Sequence, residues 1–184
     1  AYAQISSNAD EDVIIVTGQH LYSDQVNALK SPTPILDVPQ SLSIVTADQI
    51  TLQGFDSVGD IVNYIPGVTN TQGEGHRDAV VFRGVRSTAD FFVDGVRDDV
   101  QYFRSLYNVE QVEVLRGANA LLFGRGGTGG LINRVSKKAS VGEDFSGFKA
   151  SVDTFGGFSG QFDSNFATTD NSAFRINGAY EKLK

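Results

Sequence analysis

Three stretches near the end of the chain share a pattern that few structures accept. Phe148, Ala150, Val152 and Thr154 alternate with Gly147, Lys149, Ser151 and Asp153. Phe158, Phe162 and Phe166 share a face opposite Ser159, Gln161, Asp163 and Asn165, and Phe174, Ile176 and Tyr180 lie opposite Arg175, Asn177 and Glu181. A period of two belongs to a β-strand, whose successive side chains point to opposite faces. Gly156-Gly157 and Thr168-Thr169-Asp170-Asn171 separate the segments as turns. Each segment runs about 9–10 residues, the length at which a tilted strand crosses a hydrocarbon core. A soluble antiparallel meander has the same period, so on pattern alone residues 139–184 fit either environment.

Composition agrees with a β-rich chain: Cys, Met and Trp are absent, while Gly reaches 20 and Phe 13. Without cysteine there is neither a disulfide framework nor a thiolate metal site, and only His20 and His76 offer imidazole, which argues against a zinc or haem enzyme. The formal charge of -7 argues against nucleic acid, which demands a Lys/Arg-rich face. No apolar run approaches the ~20 residues of a transmembrane helix, so any bilayer contact would be made by strands. The opening Ala1-Tyr2-Ala3-Gln4 resembles the small-x-small end of a secretory signal, a hint of export.

Residues 1–34 are polar and acidic with one compact apolar run, Val13-Ile14-Ile15-Val16, and read as a tether. Ser41 to Val45 is a short strand. Thr46 and Gln49 form a capping box for a helix that Gly54 closes, and Ser57 opens a second helix over Val58 to Tyr64, ended by Pro66-Gly67. A Gly-rich polar stretch, Thr69 to Asp78, then leads into a strand from Ala79 to Arg83. Asp94-Gly95 supplies the two positive-φ residues of a type I′ hairpin turn after Phe91-Phe92-Val93. Val109 to Arg116 reads as a half-buried strand, Ala118 to Phe123 as a short helix and Leu131 to Val135 as a further strand. Up to about residue 138 this is a compact α+β domain.

Two motifs invite chemistry. Gly124-Arg125-Gly126-Gly127-Thr128-Gly129 contains a formal G-x-G-x-x-G, but the residues after it are strand-like and no acidic ribose partner follows about 20 residues later. Tight turns and close backbone packing explain these glycines better. Asp94, Asp98 and Asp99 near Arg97 lack any nucleophile or imidazole arrangement and read as a polar loop tip.

Several segments together resemble the plug of TonB-dependent receptors. They are Asp37-Val38-Pro39-Gln40-Ser41, Asp60 to Val68, Phe82-Arg83-Gly84, Val93-Asp94-Gly95, Val109 to Gly117, Leu122 to Gly126 and Gly129 to Asn133. The resemblance covers residues 35–138 with its motifs in order. It implies an α+β plug domain with a short mixed β-sheet and short helices, followed by the first antiparallel strands of a transmembrane β-barrel. Plugged 22-stranded transporters are the handiest example of that architecture. It also implies a bacterial outer-membrane location, with the plug inside the barrel and residues 1–34 in the periplasm. Three strands alone would leave an unpaired edge in lipid, so the chain is expected to be a fragment.

Within the resemblance, Asp12, Val13, Ile14, Ile15, Val16, Thr17 and Gly18 occupy the place of the TonB box, where an extended apolar segment can add as a strand to the partner TonB and transmit a pull. Arg83, Arg116 and Glu113 match the plug–barrel contact region, the arginines pairing in the family with barrel glutamates. His76, Arg77, Arg86, Ser87, Arg97, Tyr102 and Phe103 are nominated for the external ligand site, arginines for an anionic ferric chelate and aromatics for stacking. Between 74 and 106 the acids Glu74, Asp78, Asp90, Asp94, Asp98 and Asp99 outnumber the five arginines, so no basic funnel is evident. The run from Phe91 through Tyr107 resembles catecholate-type receptors most. The implied cargo is a ferric siderophore, with no covalently bound cofactor, no catalysis, and TonB and outer-membrane lipid as partners. Cobalamin, another chelate or an oligosaccharide remain open as cargo, and a soluble β-rich ligand-binding or adhesion module remains the reading from another class.

Overall fold

The computed structural model describes residues 25–28, 33–71, 77–87, 90–117 and 129–182. The expected TonB box at 12–18, His76, the expected helix at 118–123 and Gly124 to Thr128 lie outside them.

Strand β1 (Gln25–Val26) pairs antiparallel with β2 (Thr33–Pro34), and a 3-10 turn over Ile35–Asp37 leads to β3 (Ser41–Thr46). Helix α1 (Ala47–Gln53) starts where the sequence places it. The Thr46 hydroxyl accepts the Gln49 N–H at 3.4 Å, the Gln49 side chain accepts the Thr46 N–H at 3.3 Å, and Gly54 closes the helix at φ 67°. Helix α2 (Val58–Asn63) repeats the device with Ser57 and Asp60 and ends one residue earlier than expected, with Tyr64 as its cap.

Strands β4 (Val68–Thr71), β5 (Ala79–Phe82) and β6 (Val85–Ser87) form an antiparallel sheet in that order. Strand β4 corrects the sequence reading, which took Thr69 onward as loop. Its Thr-Asn-Thr run carries no apolar alternation, and pairing with Ala79–Phe82 makes it a strand. Strands β7 (Phe91–Val93) and β8 (Val96–Arg97) flank the Asp94-Gly95 turn, whose φ values of 49° and 78° are those a type I′ turn needs. With β9 (Val109–Arg116) and β10 (Gly130–Ser136) they build a mixed five-stranded sheet of order β3-β9-β10-β7-β8, parallel only between β7 and β10.

This sheet is covered on both faces, so β9 is buried on both and not half-buried as its alternating charges suggest. On one face Val112, Val114, Ile132 and Phe91 pack with Ile50, Val58, Ile61, Val62, Val80 and Phe82. On the other, Leu115, Leu131 and Phe92 pack with Val26 and Ala28, flanked by Leu42 and Ile44. Each fully buried aliphatic side chain contributes about 1.5–3 kcal/mol, so both layers matter to the domain.

Strands β11 (Phe145–Val152), β12 (Phe158–Thr169) and β13 (Ser172–Lys182) form a separate antiparallel sheet, as the period-two pattern predicts. The register places Phe148 beside Phe162 beside Gly178, and Asp163 between Gly147 and Asn177. Apart from Phe145, which is registered with Asn165 and lies beside Arg175, the large apolar side chains of the three strands therefore share one face. That face is exposed at Phe148, Val152, Phe158, Phe162, Phe166, Phe174, Ile176 and Tyr180.

Candidate functional site

The opposite, polar face of β11–β13 rests on the α+β domain, and charge holds it there. Arg175 forms a two-pronged pair with Asp163, Nε–Oδ1 and Nη2–Oδ2 both at 2.8 Å, while the Lys137 ammonium lies 2.7 Å from the same carboxylate. The Arg175 Nη1 also donates to the Lys138 carbonyl at 2.9 Å and lies 3.4 Å from Glu110 on β9. Asn165, fully buried, donates to the Ser140 and Glu143 carbonyls and accepts the Ser140 N–H at 3.0 Å. This seam was missed as a contact from sequence. Its signal was present, since Asp163, Asn165 and Arg175 all fall on the polar side of the alternation.

Arg83 and Arg116 meet around the Pro66-Gly67 turn. Arg83, exposed at the β5–β6 tip with φ 47°, donates its backbone N–H to the Gly67 carbonyl at 2.9 Å. The Arg116 guanidinium donates to the Pro66 carbonyl at 2.8 Å, the Leu42 carbonyl at 3.3 Å and the Ser43 hydroxyl at 3.0 Å. Glu113 does not join them. It is fully buried on the second face of the five-stranded sheet, where its carboxylate accepts the Asn27 and Ala28 N–H groups at 2.6 and 2.7 Å. The Gln111 and Asn133 side-chain amides donate to it as well, at 2.6 and 2.9 Å.

Of the nominated ligand residues, Arg97 ends β8, and Tyr102 and Phe103 lie in the segment that follows it, which Arg104 organises. Arg104 is 1% exposed, lies 3.8 Å over the Phe91 ring and donates to the carbonyls of Asp98, Val100 and Tyr102 at 3.1, 2.7 and 3.2 Å. Asp98 is the acidic hub. Its Oδ2 accepts from Tyr102 Oη and Arg134 Nη2 at 2.7 Å and from Arg104 Nε at 3.2 Å. This corrects the loop-tip reading of Asp98, since packing brings the buried Arg104 of its own segment and the distant Arg134 of β10 onto it. Arg97 lies 4.9 Å from the Phe92 ring and pairs with Asp90 and Asp99 at 4.0 and 3.5 Å, while Phe103 is exposed. Arg77 adjoins the segment, as its neighbour Asp78 donates its N–H to the Tyr102 carbonyl at 3.3 Å and accepts the Arg104 N–H at 2.8 Å. Burial pushes the Asp78 carboxyl above its ordinary range, against the opposing pull of Arg104. Arg86 and Ser87 stand apart on β6, in the other sheet, with Arg86 exposed.

The comparisons match this geometry. The TonB-dependent receptor plug domain family matches residues 34–131. A probable TonB-dependent receptor, BfrD of Bordetella pertussis, is 33% identical over 181 residues, which are 95% of this chain and 24% of that protein. The crystal structure of the siderophore receptor PiuA from Acinetobacter baumannii superposes with a TM-score of 0.75 at 29% identity, covering 88% of this chain and 23% of that one. The closed form of the ferric-catecholate import receptor Fiu from Escherichia coli K12 does so with a TM-score of 0.76 at 26% identity, covering 90% and 24%. The chain thus spans about a quarter of the length of these relatives. A mixed-sheet domain matching the plug, joined to strands that turn their apolar face away from it, places this chain in the TonB-dependent outer-membrane receptor family, as a plug domain with the first strands of its barrel.

Proposed function

We propose that the protein containing this chain takes up a ferric siderophore across the outer membrane, with TonB supplying the energy and no bond chemistry performed by the receptor. The observation that carries this reading is the two-faced sheet: apolar side chains point away from the plug, while Asp163 pairs with Lys137 and Arg175 reaches the Lys138 carbonyl and Glu110 on the plug's side. That arrangement suits a lipid-facing wall around a plug. The cargo class follows from PiuA, a siderophore receptor, and Fiu, a ferric-catecholate import receptor, both similar to this chain.

A catecholate is the finer proposal. Its flat rings suit the exposed Phe103 and the part-exposed Tyr102, with Arg77, Arg86 and Arg97 as cationic partners and His76 and Ser87 as further contacts. Because Arg97 is already balanced by Asp90 and Asp99, aromatic stacking rather than a basic funnel carries the recognition. In the same reading, Asp12 to Gly18 is the TonB box and Arg83 and Arg116 face glutamates of the complete barrel.

The test is uptake by the full-length receptor in iron-limited cells, with ferric dihydroxybenzoate, a ferric hydroxamate and cobalamin as probes. Saturable binding and uptake of the first are expected. Binding of cobalamin alone would reassign the cargo, and no binding of any ferric chelate would end the siderophore reading. Deleting residues 12–18 is expected to abolish uptake and leave ligand binding intact; uptake that survives the deletion removes the coupling role.

A further inference from the structure

We infer that the Glu113 carboxylate is a release catch that seats residues 26–28 on the plug. This rests on reading the residues before Gln25 as the tether that TonB pulls. Val26 and Ala28 are fully buried against Phe92, Leu115 and Leu131, so this short segment covers the apolar second face of the five-stranded sheet. Beneath it lies Glu113, itself fully buried.

The hydrogen bonding explains why a carboxylate stands there. Each oxygen takes one N–H of the seated segment and one side-chain amide: Oε1 from Asn27 and Gln111, Oε2 from Ala28 and Asn133. Four donors converge on one group, and an ionised carboxylate offers about four lone-pair sites on its two oxygens, whereas a glutamine would present a donor to donors. Seated, the segment supplies half of the partners that make a buried charge tolerable. Withdrawn, it admits water, which solvates the carboxylate in their place. The bond set is therefore strong when closed and replaceable when open, which is what a reversible catch requires.

The catch also has a second arm. Asn133 donates to Glu113 through Nδ2 and accepts the Gly95 N–H on Oδ1 at 2.9 Å. Gly95 in turn lies beside the Ala28 carbonyl, where a β-carbon would sit 3.7 Å from the oxygen. Glu113 is thus a positioning residue that joins the seated segment to the β7–β8 hairpin, the element from which the Asp98–Arg104 segment emerges.

Hydrogen exchange of the full-length receptor in detergent micelles tests the inference. Glu113→Gln is expected to speed exchange at Asn27 and Ala28 by about tenfold or more, as loss of charge-assisted hydrogen bonds implies, while β9 and β10 amides keep their protection. Unchanged exchange at 27 and 28 overturns the inference. If Glu113→Gln loosens the whole plug, Asn27→Pro decides, because it deletes one donor and leaves the carboxylate's other partners in place. Thiol labelling of a Val26→Cys reporter should then be faster in the Asn27→Pro background, and equal labelling rates overturn the catch. Neither readout requires TonB or ligand, so failure here is distinct from failure of the coupling reading, which the 12–18 deletion addresses.

Discussion

Arg104 shows how much one side chain can organise. Its guanidinium stacks on Phe91, ties down three carbonyls of its own segment and pairs with Asp98 and Asp78, at 3.2 and 3.7 Å. Arg104→Met keeps the stem and the backbone N–H that Asp78 accepts, but takes the guanidinium away from both Asp78 and Asp98. Breaking a buried pair by removing one partner costs about 3–5 kcal/mol, and hydrogen exchange at Phe91 and Arg104 should report the loosening. Asp78 gives a pH dependence of definite sign. Its folded-state pKa is raised above 3.8 by burial, so the proton is held more tightly in the fold than in the unfolded chain. The stability this contributes is fully present below 3.8 and is lost as pH rises through the raised value. A carboxyl-carbon NMR titration of Asp78 midway above 3.8 checks it, and a midpoint at or below 3.8 contradicts the burial effect. None of this was legible in the sequence. Arg97 and Arg104 look alike there, both among acids in a polar run, and only packing on Phe91 separates the buried arginine from the part-exposed one.

Elements set by short-range chemistry were the legible ones. The capping boxes at Thr46 and Ser57, the Asp94-Gly95 turn and the three alternating strands each depend on residues a few positions apart, and each forms as read. Strand β4 and the double-sided burial of β9 depend on partners far along the chain, so local pattern misled. The polar Thr69 to Thr71 acquires a partner in β5, and Glu113, charged and alternating with valines, is covered by residues 26–28. Close packing is the reading for the Gly124 to Gly129 run, and Gly129, its described member, bears this out with a β-carbon that would sit 2.8 Å from the Phe82 β-carbon; Gly130, next along the chain, is tighter still. At φ 155°, a β-carbon there would sit 2.5 Å from the Leu115 carbonyl oxygen and 2.6 Å from the Phe82 ring. The oxygen belongs to the paired backbone of β9 and cannot swing aside. Gly130→Ala should therefore cost about 2–4 kcal/mol, from backbone strain and overpacking together. Exchange at Leu115 and Leu131 should accelerate, while Gly142→Ala, with open space around it, should cost only its backbone strain.

On the scale of the whole molecule, the exposed apolar band and the charged seam are two sides of one sheet, and this separates a membrane wall from a soluble meander. In a soluble protein a polar face meets water and an apolar face meets the core. Here the order is reversed: Asp163 and Arg175 are turned toward the plug, and phenylalanines are turned away from it. Period two was visible in the sequence, but which face met the plug was not, because alternation is symmetric between the two assignments. The orientation predicts opposite tolerances on adjacent strands. Phe162 lies on the outward face of β12, its ring covering Gly178, and an arginine there would have to enter lipid. At the bilayer midplane such a substitution costs about 2–4 kcal/mol. Asn177 lies opposite Asp163 on the inward face, out of lipid, so Asn177→Lys avoids that transfer and, even beside the Arg175 and Lys137 cations, should cost far less. Reversible folding of the full-length receptor into lipid vesicles, titrated with denaturant, measures both. A large loss for Phe162→Arg with little for Asn177→Lys is expected; equal losses, or the reverse order, would show that the phenylalanine face does not meet lipid.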